Sequence, residues 1–133
     1  MKYLLDTNTC IRYINGRSPQ LRTRFLSLSG EDIAVCSVVK AELFYGSAKS
    51  EYPAKSRTKQ EYFLQALLSL PFDDKAAEVY APMRARLEKL GTPIGANDML
   101  IAAIALANDL ILVTHNTREF VRIDGLKIED WEI

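Results

Sequence analysis

Short apolar runs with the character of β-strands alternate with longer runs of helical character along nearly the whole chain, and this alternation restricts the fold most. It is typical of βα units, in which helices cover both faces of a mainly parallel sheet. We therefore predict an α/β fold of three layers, α/β/α, with a small central sheet of four or five strands. The predicted strands are 3–5, 33–36, 70–72, 110–114 and 127–129, and the predicted helices are about 8–14, 19–28, 38–49, 54–69, 74–90 and 97–108.

The size and composition of the chain fit one globular domain spanning 1–133. Hydrophobic residues make up 48% and charged residues 26%, which excludes a disordered chain. The 17 basic residues balance the 17 acidic ones, so the net charge indicates neither a nucleic acid nor a membrane as partner. The sequence begins without a secretion signal, and its longest apolar run, 99–107, is shorter than the ~20 residues that span a bilayer. We therefore expect a cytoplasmic protein without a membrane anchor, in which Cys10 and Cys36 are small buried thiols.

Residues near the predicted helix ends indicate where the helices begin and stop. Asp6 and Ser37 offer oxygen atoms to the free N–H groups of the helices that follow them. The segment 91–93 contains a glycine and a proline and is expected to end the helix 74–90. Pro82 lies inside that helix, where it removes a hydrogen bond and clashes one turn back, so we expect a kink or a break there.

Three carboxylates occupy positions where burial is expected. Asp6 directly follows the first apolar strand, Glu42 shares a helix face with apolar side chains, and Asp98 begins the most apolar helix. A fourth polar residue, Asn116, comes just after the strand 110–114. If the strands 3–5 and 110–114 are neighbours, Asp6 and Asn116 face one crevice, and Glu42 and Asp98 reach it from flanking helices.

Each carboxylate also has a purely structural interpretation. Asp6 and Asp98 are suited to stabilising the start of a helix, and Glu42 is suited to an ion pair with a distant residue. Carboxylates that repel one another and are nevertheless held together imply a cation. Ligands that are all oxygen favour Mg²⁺ or Mn²⁺ over zinc.

Four short motifs in a fixed order carry a resemblance to a known family. The motifs are Leu-Asp-Thr-Asn at 5–8, Ala-Glu-Leu at 41–43 followed by Gly46, Asn-Asp-x-x-Ile-Ala-Ala at 97–103, and Val-Thr-x-Asn-x-x-x-Phe at 113–120. They resemble the four signatures of the PIN-domain family and, more narrowly, of the VapC toxins of bacterial toxin–antitoxin pairs.

The resemblance implies a PIN-like fold and a metal-dependent endoribonuclease that cleaves RNA, tRNA being one such target. It implies that Asp6, Glu42 and Asp98 bind Mg²⁺ or Mn²⁺, that the nuclease hydrolyses RNA with an activated water, and that a cognate VapB-like antitoxin inhibits it. It also implies a homodimer. The sequence departs from the family at Asn116, which belongs to the predicted catalytic set but stands where many relatives have a fourth carboxylate.

Two other classes of function remain open at this point. A PIN-fold module that binds RNA or protein, with weakened catalysis, would account for Asn116 in place of an acid. A phosphoacceptor domain would also place an aspartate at a strand end, but Asn8 and Asn116 stand where its second acid and its lysine are expected. His115, the single histidine, is a weaker candidate for a general base because it has no partner histidine.

Basic and aromatic residues provide possible RNA contacts, although each also fits a solvated surface, a core or a partner interface. The helical pair 38–69 is equally suited to a hydrophobic groove for an antitoxin segment. The basic candidates are Lys49, Lys55, Arg57, Lys59, Arg84, Arg86 and Lys89, and the aromatic candidates are Tyr45, Tyr52, Tyr62 and Phe63.

Overall fold

A five-stranded sheet lies at the centre of the protein, which is described from a computed structural model covering residues 1–133. All four strand pairings are parallel, and the strand order is β3-β2-β1-β4-β5. The strands are β1 (Tyr3–Leu5), β2 (Ile33–Cys36), β3 (Leu68–Leu70), β4 (Ile111–Val113) and β5 (Ile128–Glu129). The helices are α1 (Thr7–Ile14), α2 (Pro19–Leu26), α3 (Ser37–Ala48), α4 (Pro53–Leu64), α5 (Asp74–Lys89), α6 (Ala96–Ala107) and α7 (Thr117–Phe120), with a 3₁₀ turn at Gly30–Asp32.

The three central strands are buried along almost their whole length. Every residue of β1 and β2 is buried, and Leu4 and Leu112 have no exposed surface. Strands covered on both faces are continuously apolar, which explains why β1, β2 and β4 lack the alternation of a half-exposed sheet. The helix α6 is buried along most of its length, as its apolar sequence predicts. No helix in the structure is both long and apolar enough to cross a bilayer.

The predicted α/β architecture with a mainly parallel sheet is confirmed, but one predicted strand is misplaced. The sequence predicts a helix to residue 69 and a strand at 70–72, whereas α4 ends at Leu64 and β3 covers Leu68–Leu70. Pro71 has no N–H group to donate to a neighbouring strand, so the strand ends before it rather than containing it. The short helix α7 and the 3₁₀ turn are not predicted.

Two expectations about helix ends are wrong. Ser37 is the first residue of α3 rather than its cap, and its hydroxyl group donates to the carbonyl of Leu70 at 3.5 Å. Pro82 does not break α5, which is helical from Asp74 to Lys89. A proline inside a helix costs about 3 kcal/mol, and the packing of α5 along α6 offsets that cost. The predicted cap at Asp6 is confirmed, because its side chain accepts a hydrogen bond from the N–H of Thr9 at 2.9 Å.

Strand order fixes where the polar residues at the strand ends meet. β1 pairs with β4 so that Leu5 lies beside Val113, and the N–H of Asp6 donates to the carbonyl of Val113 at 3.1 Å. The carboxyl ends of these two central strands therefore share one edge, the edge where open α/β sheets bind ligands.

Candidate active site

Asp6 is the most buried carboxylate of the protein, with 4% of its surface exposed. Burial raises its pKa, while hydrogen bonds from Thr114 and Thr9 act in the opposite direction and the charge of Glu132 raises it further. Asp6 therefore acts as the N-cap of α1 and is also a carboxyl group held in a dry environment. This geometry satisfies the structural interpretation of the residue and is compatible with the metal-site interpretation.

Asp98 lies in the first turn of α6 and is half-buried. Its pKa is raised to about 6, first by burial and then by the negative charges of Asp6, Glu42 and Glu119. The structure thus places Asp98 within the electrostatic reach of three other carboxylates from three different elements. These four acids form what we call the acidic cluster.

Glu42 is half-buried on α3, and Thr7 holds it in place. The hydroxyl group of Thr7 donates to Oε1 of Glu42 at 2.5 Å. Thr7 directly follows Asp6, so this hydrogen bond ties Glu42 on α3 to the start of α1. The ion pair with a distant residue that would make Glu42 purely structural is not formed.

Asn116 joins the site through Glu119, a residue that the sequence analysis missed. Nδ2 of Asn116 donates to Oε2 of Glu119 at 2.5 Å, and the N–H of Asn116 donates to the Thr114 hydroxyl at 2.9 Å. Glu119 lies on α7, one helical turn after Asn116. The only signal for it in the sequence is this spacing of three residues, which is also typical of an ordinary surface glutamate.

The donor atoms of the acidic cluster suit a hard divalent cation. None of the four carboxylates forms a salt bridge with a lysine or an arginine. Buried and half-buried carboxylates without a positive partner are costly unless a cation joins them. Since all the side-chain donors are oxygen atoms, the residues fit Mg²⁺ or Mn²⁺.

A second group of potential metal ligands, separate from the predicted residues, lies near the end of the chain. Ligand atoms of His115, Asp130 and Glu132 lie within 4.8 Å of one another. Nδ1 of His115 is 2.9 Å from Oδ2 of Asp130, and Glu132 forms a salt bridge with Arg12. The N–H of Glu132 donates to Oδ1 of Asp130 at 2.9 Å. These contacts attach the last residues of the chain to α1 and to the end of β4.

Both cysteines are free thiols in the core, as predicted. Cys10 and Cys36 have no exposed surface, and burial raises the pKa of each thiol. They are not available as metal ligands at the surface.

The fold and the acidic cluster define a class: a parallel α/β protein with a cluster of carboxylates at one edge of its sheet. Residues 3–126 match the PIN domain family. The chain is 40% identical to the tRNA(fMet)-specific endonuclease VapC of Salmonella typhimurium and 42% identical to the ribonuclease VapC2 of Haemophilus influenzae, in both cases over 98% of each chain.

Solved structures agree with this family. A crystal structure of DNA-bound VapBC from Salmonella typhimurium superposes with a TM-score of 0.94 at 40% identity, covering 98% of each chain. VapBC2 from Rickettsia felis, bound to a DNA fragment from its promoter, gives a TM-score of 0.91 at 38% identity, covering 98% of this chain and 99% of that one. The chain therefore belongs to the PIN-domain family, within its VapC branch, and the resemblance carried by the four motifs is confirmed.

Proposed function

We propose that the protein is a metal-dependent endoribonuclease and the toxin of a type II toxin–antitoxin pair. The observation that carries the proposal is the acidic cluster, in which four carboxylates have no positive partner and in which burial and the charges of the other three raise the pKa of Asp98 to about 6. The curated relatives are named as VapC ribonucleases, and one is specific for tRNA(fMet), which supports tRNA as the substrate class. We further propose that the protein acts in the cytoplasm as a homodimer.

The proposed active site consists of Asp6, Glu42, Asp98 and Asn116, with Glu119 added from the structure. Asp6, Glu42 and Asp98 would hold Mg²⁺, with Mn²⁺ as the second choice. When bound, such an ion lowers the pKa of water and offsets negative charge on the phosphate. The reaction is hydrolysis: a water molecule attacks phosphorus, one phosphate ester bond breaks, and the leaving ribose oxygen takes up a proton.

The side chains around the acids keep them in position. The start of α1 fixes Asp6 through the N–H of Thr9, and the hydroxyl group of Thr7 fixes Glu42. Asn116 donates to Glu119 and orients its carboxylate. A carboxylate oxygen that accepts one hydrogen bond keeps a further lone pair, so these contacts leave Asp6, Glu42 and Glu119 able to bind an ion or a water molecule.

Thr7→Val is expected to lower the cleavage rate by about 10-fold or more, the effect of losing a partner that orients a metal ligand. Valine keeps the size and shape of threonine but cannot donate to Glu42. Thr7→Ser keeps the hydroxyl group and should restore most of the rate, which separates positioning from packing. The measurement is single-turnover cleavage at several Mg²⁺ concentrations. A rate in Thr7→Val equal to that of the wild type would show that the hydrogen bond does not position Glu42.

An apolar groove on the surface of the protein supports the antitoxin part of the proposal. The homologous solved structures are of VapBC complexes. The groove has a volume of about 680 Å³, lies between α1, α2 and α4, and is lined by Tyr13, Phe25, Phe63 and the exposed Tyr62. A groove with aromatic walls is suited to the apolar face of a peptide helix. We propose that the antitoxin binds in this groove. The sequence predicts such a groove on the helical pair 38–69, but of that pair only α4 contributes to it, and α3 does not.

The proposed function is tested by incubating the purified protein, without antitoxin, with total cellular RNA and Mg²⁺ or Mn²⁺. We expect discrete RNA fragments in the presence of the metal ion. In two separate controls, one with EDTA and one with the cognate antitoxin, these fragments should be absent. The ends of the fragments identify the RNA and the cut position. A folded protein that binds metal and RNA but does not cleave would instead favour the alternative, a PIN-fold binding module with weakened catalysis.

A further inference from the structure

The exposed tyrosines of the protein are concentrated on one helical pair next to Glu42. Of the six tyrosines, only three have more than half of their surface exposed, and all three belong to α4, α3 or the turn between them. They are Tyr45 at 66%, Tyr52 at 66% and Tyr62 at 75%. Tyr62 lines the apolar groove, whereas Tyr52 lines a different groove that also contains Glu42.

The same helical pair carries lysines that have no acidic partner. Lys49, Lys55 and Lys59 form no salt bridge, and the ammonium group of Lys49 lies 4.8 Å from the ring centre of Tyr45. By contrast, Arg84 and Arg86 on α5 are paired with Glu88 and Asp124. Arg57 on α4 is also paired, with Glu61, so the predicted phosphate-binding candidates without an acidic partner are Lys49, Lys55 and Lys59 on the pair α3–α4 and Lys89 at the end of α5.

A groove of about 500 Å³ brings Lys55 and Lys59 together with Glu42, one member of the acidic cluster. It lies between α1, α3 and α4, and its lining includes Glu42 together with Tyr52, Lys55 and Lys59. Gly46, one helical turn after Glu42, also lines it, and a Cβ atom added there would meet nothing within 4 Å. A groove of this volume is within the usual range for ligand pockets.

We propose that this groove, which we call the lysine–tyrosine groove, binds an unpaired stretch of the RNA beside the phosphate that is cut. The inference rests on the proposed nuclease function. It adds which surface of the protein binds the RNA and that the bound RNA is single-stranded. Lys55 and Lys59 would contact phosphates, and the ring of Tyr52 would stack on a base. An aromatic ring stacks on bases that are splayed out of a helix, so the groove selects single-stranded loops over duplex RNA.

The chemistry of the lining favours RNA over an antitoxin segment as the occupant. Only four of its thirteen residues are hydrophobic, whereas six of the nine residues of the adjoining groove at Tyr13, Phe25 and Phe63 are hydrophobic, and the two grooves share Ile14 and Lys59. Unpaired lysines next to an exposed tyrosine are the arrangement that tracks a nucleic-acid backbone and its bases. An acidic antitoxin segment in the lysine–tyrosine groove is the other outcome that the experiment resolves.

The experiment measures RNA binding in the Asp6→Asn background, where cleavage is removed and binding is read directly by fluorescence anisotropy. We expect Lys55→Gln with Lys59→Gln to weaken binding of a short single-stranded RNA by about 10-fold and to reduce the salt slope by about 1.4, the value for two lost phosphate contacts. Lys2→Gln with Lys75→Gln, a matched change at two exposed lysines elsewhere that form no salt bridge, should leave both quantities unchanged.

Two further variants test stacking and access. Tyr52→Ala should weaken single-strand binding by about 5- to 100-fold, and Tyr52→Phe should retain it, because only the ring is needed. Gly46→Leu should fill the groove and weaken binding while the melting temperature stays equal or rises, since leucine is a better helix former than glycine. A blunt duplex of the same length should bind more weakly than the single strand to the parent protein.

The outcomes separate this inference from the proposed function. Metal-dependent cleavage by the wild type, together with unchanged RNA binding in the lysine and Tyr52 variants, would overturn the inference and leave the nuclease intact. Loss of antitoxin binding with unchanged RNA binding would assign the groove to the antitoxin instead. In the cleavage-competent background, we expect the lysine variant to raise KM about 10-fold with little change in kcat, because uniform substrate contacts act on KM.

Discussion

Asp6→Asn is expected to reduce RNA cleavage by more than about 100-fold and to leave the protein folded. Losing a group that only orients a metal ligand costs about 10- to 100-fold, so losing the charge of a ligand itself should cost more. Asparagine caps a helix as well as aspartate does, so the hydrogen bond from Thr9 is kept. Cleavage is measured with labelled RNA in Mg²⁺, and folding is measured by circular dichroism.

Asp6→Ala provides the matched control, because it removes the charge and the cap together. It should lose cleavage as well and also lower the free energy of unfolding by about 1 kcal/mol, the usual cost of a lost N-cap. If Asp6→Asn cleaves RNA at the wild-type rate, Asp6 acts only as a cap. If it fails to fold, the carboxylate is required by the core rather than by the chemistry.

Asp98→Asn is expected to stabilise the protein without metal at about pH 7.5 and to have little effect at about pH 4. The pKa of Asp98 is raised from 3.8 to about 6, so the folded state binds this proton more tightly than the unfolded state does. This tighter binding adds to the free energy of unfolding. The contribution is present in full below 3.8, the pKa of Asp98 in the unfolded chain, and is lost as the pH rises through about 6. Asparagine does not titrate and avoids this loss.

The expected gain for Asp98→Asn at neutral pH is about 1 kcal/mol, a value reduced for solvent screening because Asp98 is only half-buried. Thermal melts of the wild type and of Asp98→Asn, recorded with EDTA at several pH values, measure the difference in stability between them. Adding Mg²⁺ or Mn²⁺ should raise the melting temperature of the wild type and change that of Asp98→Asn much less. Asp74→Asn, in the first turn of α5, is the matched control and should be slightly destabilising through the helix dipole. A wild type whose stability without metal rises steadily from pH 4 to pH 7 would contradict the prediction.

Sequence patterns predict the central part of this fold better than its edges. The strands β1, β2 and β4 are buried on both faces, so their continuous apolar runs are recognisable. The edge strand β3 is mostly exposed, and the pattern Leu-Ser-Leu resembles the end of the preceding helix as closely as it resembles a strand. Burial by neighbouring elements decides between the two, and that information is not local to the sequence.

The proposed site divides in the same way. Asp6, Glu42 and Asp98 are recognisable because each is an acid in an apolar context. Glu119 sits beside Arg118 on a short helix and has the sequence character of a surface residue. Only the contact with Asn116 reveals that it faces the other acids.

That contact bears on the departure from the family that the resemblance implies at position 116. The amide of Asn116 donates to Glu119, so the fourth negative charge is present three residues further along the chain. A carboxylate at position 116 would repel Glu119 in the absence of a cation. The residue at position 116 alone therefore does not determine the number of negative charges in the site, because Glu119 also contributes one.

The strand order has a consequence for how the protein is made. β4 pairs with β1, which is the first strand of the chain, and β4 and α7 come late in it. A nascent chain that has reached the end of α6 already carries Asp6, Glu42 and Asp98, but the edge of β1 that receives β4 is still open. The complete acidic cluster assembles only after residue 119 has left the ribosome. The order of the strands thus makes the acidic cluster depend on segments that lie far apart in the sequence.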